Sequence, residues 1–254
     1  MLKRFIALLV FAIVASGTAQ AQRLLIAAAS DLKYALDTLV VVFRQSHPNV
    51  TVDVVYGSSG KLYEQISHGA PFDLYFSADI SYPENLHAKG LTASEVIGYG
   101  KGRIVFWSRT LKSLDNFKIL SDPSIRKIAI ANPQHAPYGR RAVEALRYYE
   151  VYRPAERKLV FGENISQAAQ FATTGAADAG ILALSLVLSP TFKALKGNYW
   201  LIPESAHEPL EQGFVILKAS KQKEAATQFR DFIGSPVAMS ILVRYGFQAD
   251  LNTK

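Results

Sequence analysis

Four short strings in this sequence put small residues and hydroxyls where an apolar run gives way to helical spacing. They are Ala29-Ser30-Asp31, Gly57-Ser58-Ser59-Gly60, Ala136-Pro137-Tyr138-Gly139 and Glu163-Asn164-Ile165-Ser166. At such a junction the first backbone N–H groups of the helix lack an intrahelical acceptor and lie at the positive end of its dipole. Neutral donors gathered in this way hold a small anion without any countercharge. Taken singly, Ser30 reads as a helix cap, and Ser58 and Ser59 read as a turn between glycines. Four junctions in one chain carry more weight, because capping alone does not call for hydroxyls stacked at one place.

Other chemistries find less support. The stretch from Gly57 to Lys61 has part of the composition of a phosphate-binding loop, but its spacing is wrong and Leu62 stands where a hydroxyl is required. There is no GxSxG, no HExxH and no cysteine, so no catalytic residue is assigned. The histidines at positions 47, 68, 87, 135 and 207 are scattered, and neither they nor the carboxylates have metal-ligand spacing. An exported serine hydrolase is the rival from another class. It would need a histidine beside Ser30 or Ser59, and His135 is the only donor at one of the junctions.

The elements that must position these strings alternate between strand and helix. Residues 24–29 form an apolar strand, and residues 31–45 then place Leu32, Leu36, Leu39, Val40 and Phe43 at helical spacing. Residues 51–56 alternate as a strand, 61–68 are helical and 72–76 form a third strand. The order βαβαβ argues for a parallel sheet with helices on its faces. A strand at 103–107 follows, and then the same grammar repeats: strand 127–131, helix 140–149, strand 159–161, helix 165–173 and strand 179–183. A further strand is read at 213–217 and a helix at 224–233. Two such series predict two lobes. No linker rich in glycine, serine or proline separates them, so the crossings are expected to be strands near 102–108 and 213–217. In open sheets of this kind ligands lie beyond the carboxyl ends of the strands, where the four strings fall.

The ends and the composition bound the compartment. Met1 to Arg4 is basic, residues 5–14 are apolar throughout, and Ala19-Gln20-Ala21 has the small-x-small cleavage pattern, so residues 1–21 are expected to be a cleaved secretory signal peptide. The apolar run falls well short of the roughly 20 residues needed to span a bilayer. With no cysteine there is neither a disulfide framework nor a site for a lipid anchor. The formal charge is +7, and +5 once Lys3 and Arg4 leave with the leader. That excess suits an anionic ligand. The densest basic stretch, 140–158, is interrupted by Glu144, Glu150 and Glu156 and reads as a solvated helix face, not a nucleic-acid surface.

Three of the four junctions lie within longer strings that resemble the periplasmic molybdate-binding proteins of bacterial ABC importers, an extracellular solute-binding family. These are Ala27-Ala28-Ala29-Ser30-Asp31-Leu32, Tyr56 to Leu62 followed by Gln65 and Ile66, Gly69 to Asp79, Asn132 to Gly139, and Arg244-Tyr245-Gly246-Phe247. The resemblance runs along essentially the whole chain after the leader. It implies an α/β fold of two lobes, a hinged, type II-like periplasmic binding protein in which each lobe is a mostly parallel sheet flanked by helices. Lobe I would comprise residues 22–102 with about 213–254, and lobe II about 103–212, with the C-terminal helices on either lobe.

The resemblance also implies a site. Its hydroxyl donors fall on Ser30 and Ser59, and its backbone donors on Ser59, Tyr138 and Ile165, with Ser30 or Asp31 adding another and Ser58 a further candidate. The ligand would be molybdate or tungstate, which the sequence does not separate, or another tetrahedral oxyanion such as sulfate; molybdenum enters only as the bound oxyanion, and no cofactor is expected. The implied partners are a membrane permease and its ATPase. The receptor is expected to be a periplasmic monomer that neither enters the membrane nor binds nucleic acid. Two departures stand out. Ala183 occupies a position where some relatives carry a ligand-contacting tyrosine, although others have a tyrosine at the position of Tyr138 instead. Asp31 would repel a dianion, so its carboxylate is expected to turn toward its own helix N-terminus or toward a cation.

Overall fold

The computed structural model describes residues 22–248 apart from residues 113, 115 and 124. The signal-peptide expectation for residues 1–21 therefore lies outside the described residues. Among the described residues, no helix is long and apolar enough to cross a membrane.

The first half winds as its periodicity predicts. Strands β1 (Gln22–Ala29), β2 (Val50–Gly57) and β3 (Leu74–Ser77) are linked by helices α1 (Lys33–Ser46) and α2 (Ser59–Ser67), and helix α3 (Ser81–Ala88) follows. Strand β1 lies between β2 and β3 and is parallel to both. Two strands complete this sheet in the order β2-β1-β3-β10-β4: β4 (Ile97–Gly102) and, from far along the chain, β10 (Leu210–Ile216). Strand β10 runs antiparallel to both β3 and β4.

The second sheet repeats the winding. Strands β5 (Ile104–Ser108), β6 (Ile128–Ala131), β7 (Leu159–Gly162), β8 (Ala179–Ala183) and β9 (Asn198–Leu201) assemble in the order β7-β6-β8-β5-β9. Here β6 is parallel to β7 and β8, whereas β5 is antiparallel to β8 and β9. Helices α4 (Pro137–Tyr148), α5 (Tyr152–Glu156) and α6 (Ile165–Thr174) cross between its strands, and α7 (Leu184–Val187) and α8 (Pro190–Ala194) precede β9. Both sheets are therefore mixed, with four strands sharing a direction and one, β10 or β5, reversed. The chain passes from the first sheet to the second at Arg103 and returns between β9 and β10; the return is not the strand expected near 213–217, because β10 pairs only within the first sheet.

Each sheet carries its own core. Leu24, Ile26, Leu36, Phe43, Phe76 and Phe214 are buried in the first, where the C-terminal helices α9 (Lys223–Ile233) and α10 (Pro236–Arg244) add Phe229 and Leu242. Ile104, Phe106, Ile130, Leu146 and Ile181 lie in the second. Sheets covered on both faces read as apolar runs, which is why these strands were visible in the sequence. Two were not. The glycine-rich β4, with Gly98, Gly100 and Gly102, and the largely exposed edge strand β9 lack that signal.

Candidate functional site

The parallel strands aim their carboxyl ends at one cleft between the sheets, and the helices that follow begin there. Ser30 follows β1 directly and opens a 3₁₀ turn, Ser30–Leu32, that runs into α1. Ser59 is the first residue of α2, Tyr138 the second of α4 and Ile165 the first of α6. Among the described residues, the backbone N–H groups of Ser59, Tyr138 and Ile165 meet no acceptor within the protein. Two close approaches bring these helix ends in. A Cβ on Gly139 would lie 2.2 Å from the Ala131 carbonyl oxygen, and one on Gly60 would lie 2.7 Å from that of His135, so both positions depend on glycine.

All of the sequence-derived candidates converge. Ser30, Asp31, Ser58, Ser59, Tyr138 and Ile165 line a single cavity with about 180 Å³ of free space, closed further by Ala29, Gly57, Ala78, Ala136 and Pro137. The enclosed space is small and suits one small ion. All six candidates are buried. No cation lines the wall. The positive potential comes from the N-termini of α2, α4 and α6.

The hydroxyls do not cap. Ser30 makes no side-chain capping bond; its Oγ donates to Asn164 Oδ1 at 3.2 Å and accepts the Ser166 N–H at 3.3 Å. Ser58 holds the cap position of α2, yet its Oγ pairs with His135 Nδ1 at 2.9 Å instead of with the helix. Ser59 Oγ accepts the buried Ala78 N–H at 3.0 Å. With a lone pair so engaged, its O–H is left to donate. The bland reading as caps and a turn fails at all three. The histidine of the hydrolase alternative, His135, stands beside Ser58 and not beside Ser30 or Ser59; burial and the nearby Lys61 lower its pKa.

Asp31 has turned toward its own helical turn, where the backbone N–H groups of Asp31 and Leu32 favour its charge, but no cation meets it. Its Oδ2 accepts the Tyr138 hydroxyl and the Gln212 amide, both at 3.0 Å. Gln212 in turn accepts the Tyr99 hydroxyl at 2.6 Å. Asp31 Oδ1 is buried with no partner among the described residues. Burial pushes this carboxyl up to about 6, against the opposing hydrogen bonds. The wall is therefore not made of donors alone.

Sequence reasoning had missed Gln212, Tyr99, Ser185 and Ala78. Gln212 gave the only hint, an amide next to the apolar run 213–216, and the structure buries it while its neighbour Glu211 stays exposed. Several of these groups join the two sheets. Gly60 N–H donates to the His135 carbonyl at 2.9 Å, Ser166 Oγ to the Ser30 carbonyl at 2.9 Å and Ser185 Oγ to the Asp31 carbonyl at 2.8 Å. At the rim, Lys61 pairs with Glu163 at 3.0 Å, and Arg140 pairs with Asp79 and donates to the Tyr82 hydroxyl.

Comparison with known proteins matches this arrangement. The family model for bacterial extracellular solute-binding proteins covers residues 24–248. The molybdate-binding protein of Rhodobacter capsulatus is 36% identical over 78% of this chain and 77% of its own length. The solved periplasmic molybdate-binding protein of Azotobacter vinelandii superposes with a TM-score of 0.84 at 32% identity, covering 89% of this chain and 99% of that one. A sulfate-binding protein of Mycobacterium tuberculosis shares the fold, with a TM-score of 0.75 at 16% identity over 90% of this chain and 87% of its own. With two lobes built on mixed sheets, and a cavity at the helix N-termini between them, the chain belongs to the bacterial extracellular solute-binding proteins.

Proposed function

We propose that this protein is a periplasmic receptor that captures molybdate, and tungstate with it, and delivers the anion to the permease and ATPase of an ABC importer. The observation that carries this reading is the convergence of three free helix N-termini and the Ser59 hydroxyl, drawn from both sheets, on one small cavity without a cation. The relatives at 36% identity, named for molybdate, support the choice of anion. Ser30, Ser59, Tyr138 and Ile165 hold the ligand, with Asp31 through its backbone and Ser58 as additional contacts. The lobes, residues 22–102 with about 213–254 and about 103–212, close on it about the two crossings. The protein reaches the periplasm through a signal peptide cleaved after Ala21, acts as a monomer and catalyses no reaction.

The test is a set of melting curves with molybdate, tungstate, sulfate and phosphate at equal ionic strength. A ligand that binds only the folded state adds about 4.1 kcal/mol at a thousandfold excess over its Kd. Molybdate and tungstate should raise the melting temperature strongly and sulfate little, because its shorter bonds leave buried donors unpaired at about 1–3 kcal/mol each. A sulfate or phosphate shift equal to that of molybdate would overturn the ligand while sparing the receptor. The Ser58–His135 pair favours a second reading, ester hydrolysis, because a histidine beside a serine is part of a nucleophilic site. Turnover of an ester lost in Ser58→Ala, with no oxyanion shifting the melt, would establish it.

A further inference from the structure

We propose that Asp31 takes up a proton as the dianion enters, so that this receptor binds its oxyanion together with a proton. The inference rests on the oxyanion reading and deepens it. Asp31 follows Ser30 in the chain, lines the same cavity and is 1% exposed. A carboxylate in that position meets two costs at once. It is buried, and a second negative ligand comes to lie within the same small, dry space.

The groups facing Asp31 offer no relief by charge. Tyr138 comes from α4, Tyr99 stands behind Gln212 on β4, Gln212 itself lies on β10, and Ser185 on α7 donates to the Asp31 backbone carbonyl. Asn164 and Ser166 at the start of α6 engage Ser30 instead. Lys33, two residues on, pairs with Asp37 at the surface, 3.6 Å away. His135 lies across the cavity against Ser58. Every direct partner of the carboxyl is therefore neutral, and Oδ1 stands free to carry a proton while Oδ2 keeps both of its hydrogen bonds. The exchange balances: one proton moves from solvent to Oδ1, no other bond forms or breaks, and the cleft gains one negative charge where it would otherwise gain two.

The direction with pH follows. Burial already holds the carboxyl at about 6 in the free protein. A dianion beside it raises that value further, so binding takes up a proton at any pH between the two values, and affinity falls as pH rises, by up to about tenfold per unit. Calorimetric titration of the mature protein with sodium molybdate should be run from pH 6.5 to 8.5, where molybdate is itself the dianion. Two buffers of different ionisation heat at each pH then give the proton count. The expected result is uptake of close to one proton at pH 7.5 and affinity that weakens across the range. Asp31→Asn should abolish both. Infrared difference spectra of the wild-type protein should show a protonated-carboxyl C=O band appearing on molybdate addition, a readout that needs no variant to fold. Tight molybdate binding without proton uptake, or uptake that persists in Asp31→Asn with no carboxyl band, overturns the inference and leaves the receptor standing. Absence of any molybdate binding overturns the receptor and the inference together.

Discussion

Replacement of Ser59 by alanine should cause two separate losses, and the structure assigns one to each side of the same oxygen. Ser59 Oγ accepts the Ala78 N–H at 3.0 Å in a fully buried setting, while its own proton is left for the ligand. Removing the oxygen orphans the Ala78 N–H in the free protein, a penalty of about 1–3 kcal/mol. It also removes a hydrogen bond to a charged ligand, worth about 1.5–3 kcal/mol, or one to two decades of affinity at roughly 1.4 kcal/mol per decade. Ser30 is the control. Its bonds to Asn164 and Ser166 are longer, at 3.2 and 3.3 Å, and only partly buried, so Ser30→Ala should cost the free protein no more than about 0.5–1.5 kcal/mol, and it should lower affinity less than Ser59→Ala because its proton must leave Asn164 to reach the ligand. Urea unfolding of the free proteins measures the first effect, and molybdate calorimetry measures the second. A folded Ser59→Ala protein with lowered stability and unchanged molybdate affinity would refute the reasoning, because the hydroxyl would then serve Ala78 alone.

Three further outcomes are expected. In the ligand-free protein the folded state holds the Asp31 proton more tightly than the unfolded chain, about 6 against 3.8. The folded state therefore binds more protons between those values, and stability falls by about 3 kcal/mol as pH rises through that window; urea unfolding at pH 4.5 and 7.5 should show Asp31→Asn gaining on wild type at the higher pH, and equal gains at both would count against it. Periplasmic material should begin at Gln22 by mass spectrometry, and retention of residues 1–21 would refute cleavage there. Saturating molybdate should compact an open, ligand-free form in small-angle scattering, and an unchanged radius from that starting state would argue against closure about the crossings.

The fold was legible where burial leaves a pattern local in sequence. Residues 24–29 and 179–183 read as strands because both faces of each sheet are covered, and the 3.6-residue spacing of Leu32, Leu36, Leu39 and Phe43 marks α1. The backbone donors were legible too, since a strand followed by small residues and a helix fixes where unpaired N–H groups emerge. The side-chain network was not. Asp31 meets Tyr138 and Gln212 across 107 and 181 residues of chain, and Ser58 meets His135 across 77, separations at which no spacing rule operates. The direction taken by Asp31 was half legible, because repulsion of an anion says that a carboxylate must turn aside but not which neutral donors will receive it.

The place of β10 has a consequence for how the molecule is made. Strands β5 to β9 come from one continuous stretch of chain, so the second sheet has all its hydrogen-bonding partners once residue 201 has emerged. The first sheet does not. Strand β10 stands between β3 and β4, so the paired edges of both wait for residues 210–216, and the helices that add Phe229 and Leu242 to that core arrive later still. Closing so long a loop is entropically slow, and contacts of this range set the rate at which a chain folds. A chain threaded outward from its N-terminus would therefore complete its later sheet first and its earlier sheet last. Until then β3 keeps an open edge beside buried-type residues such as Phe76, the kind of edge on which chains aggregate.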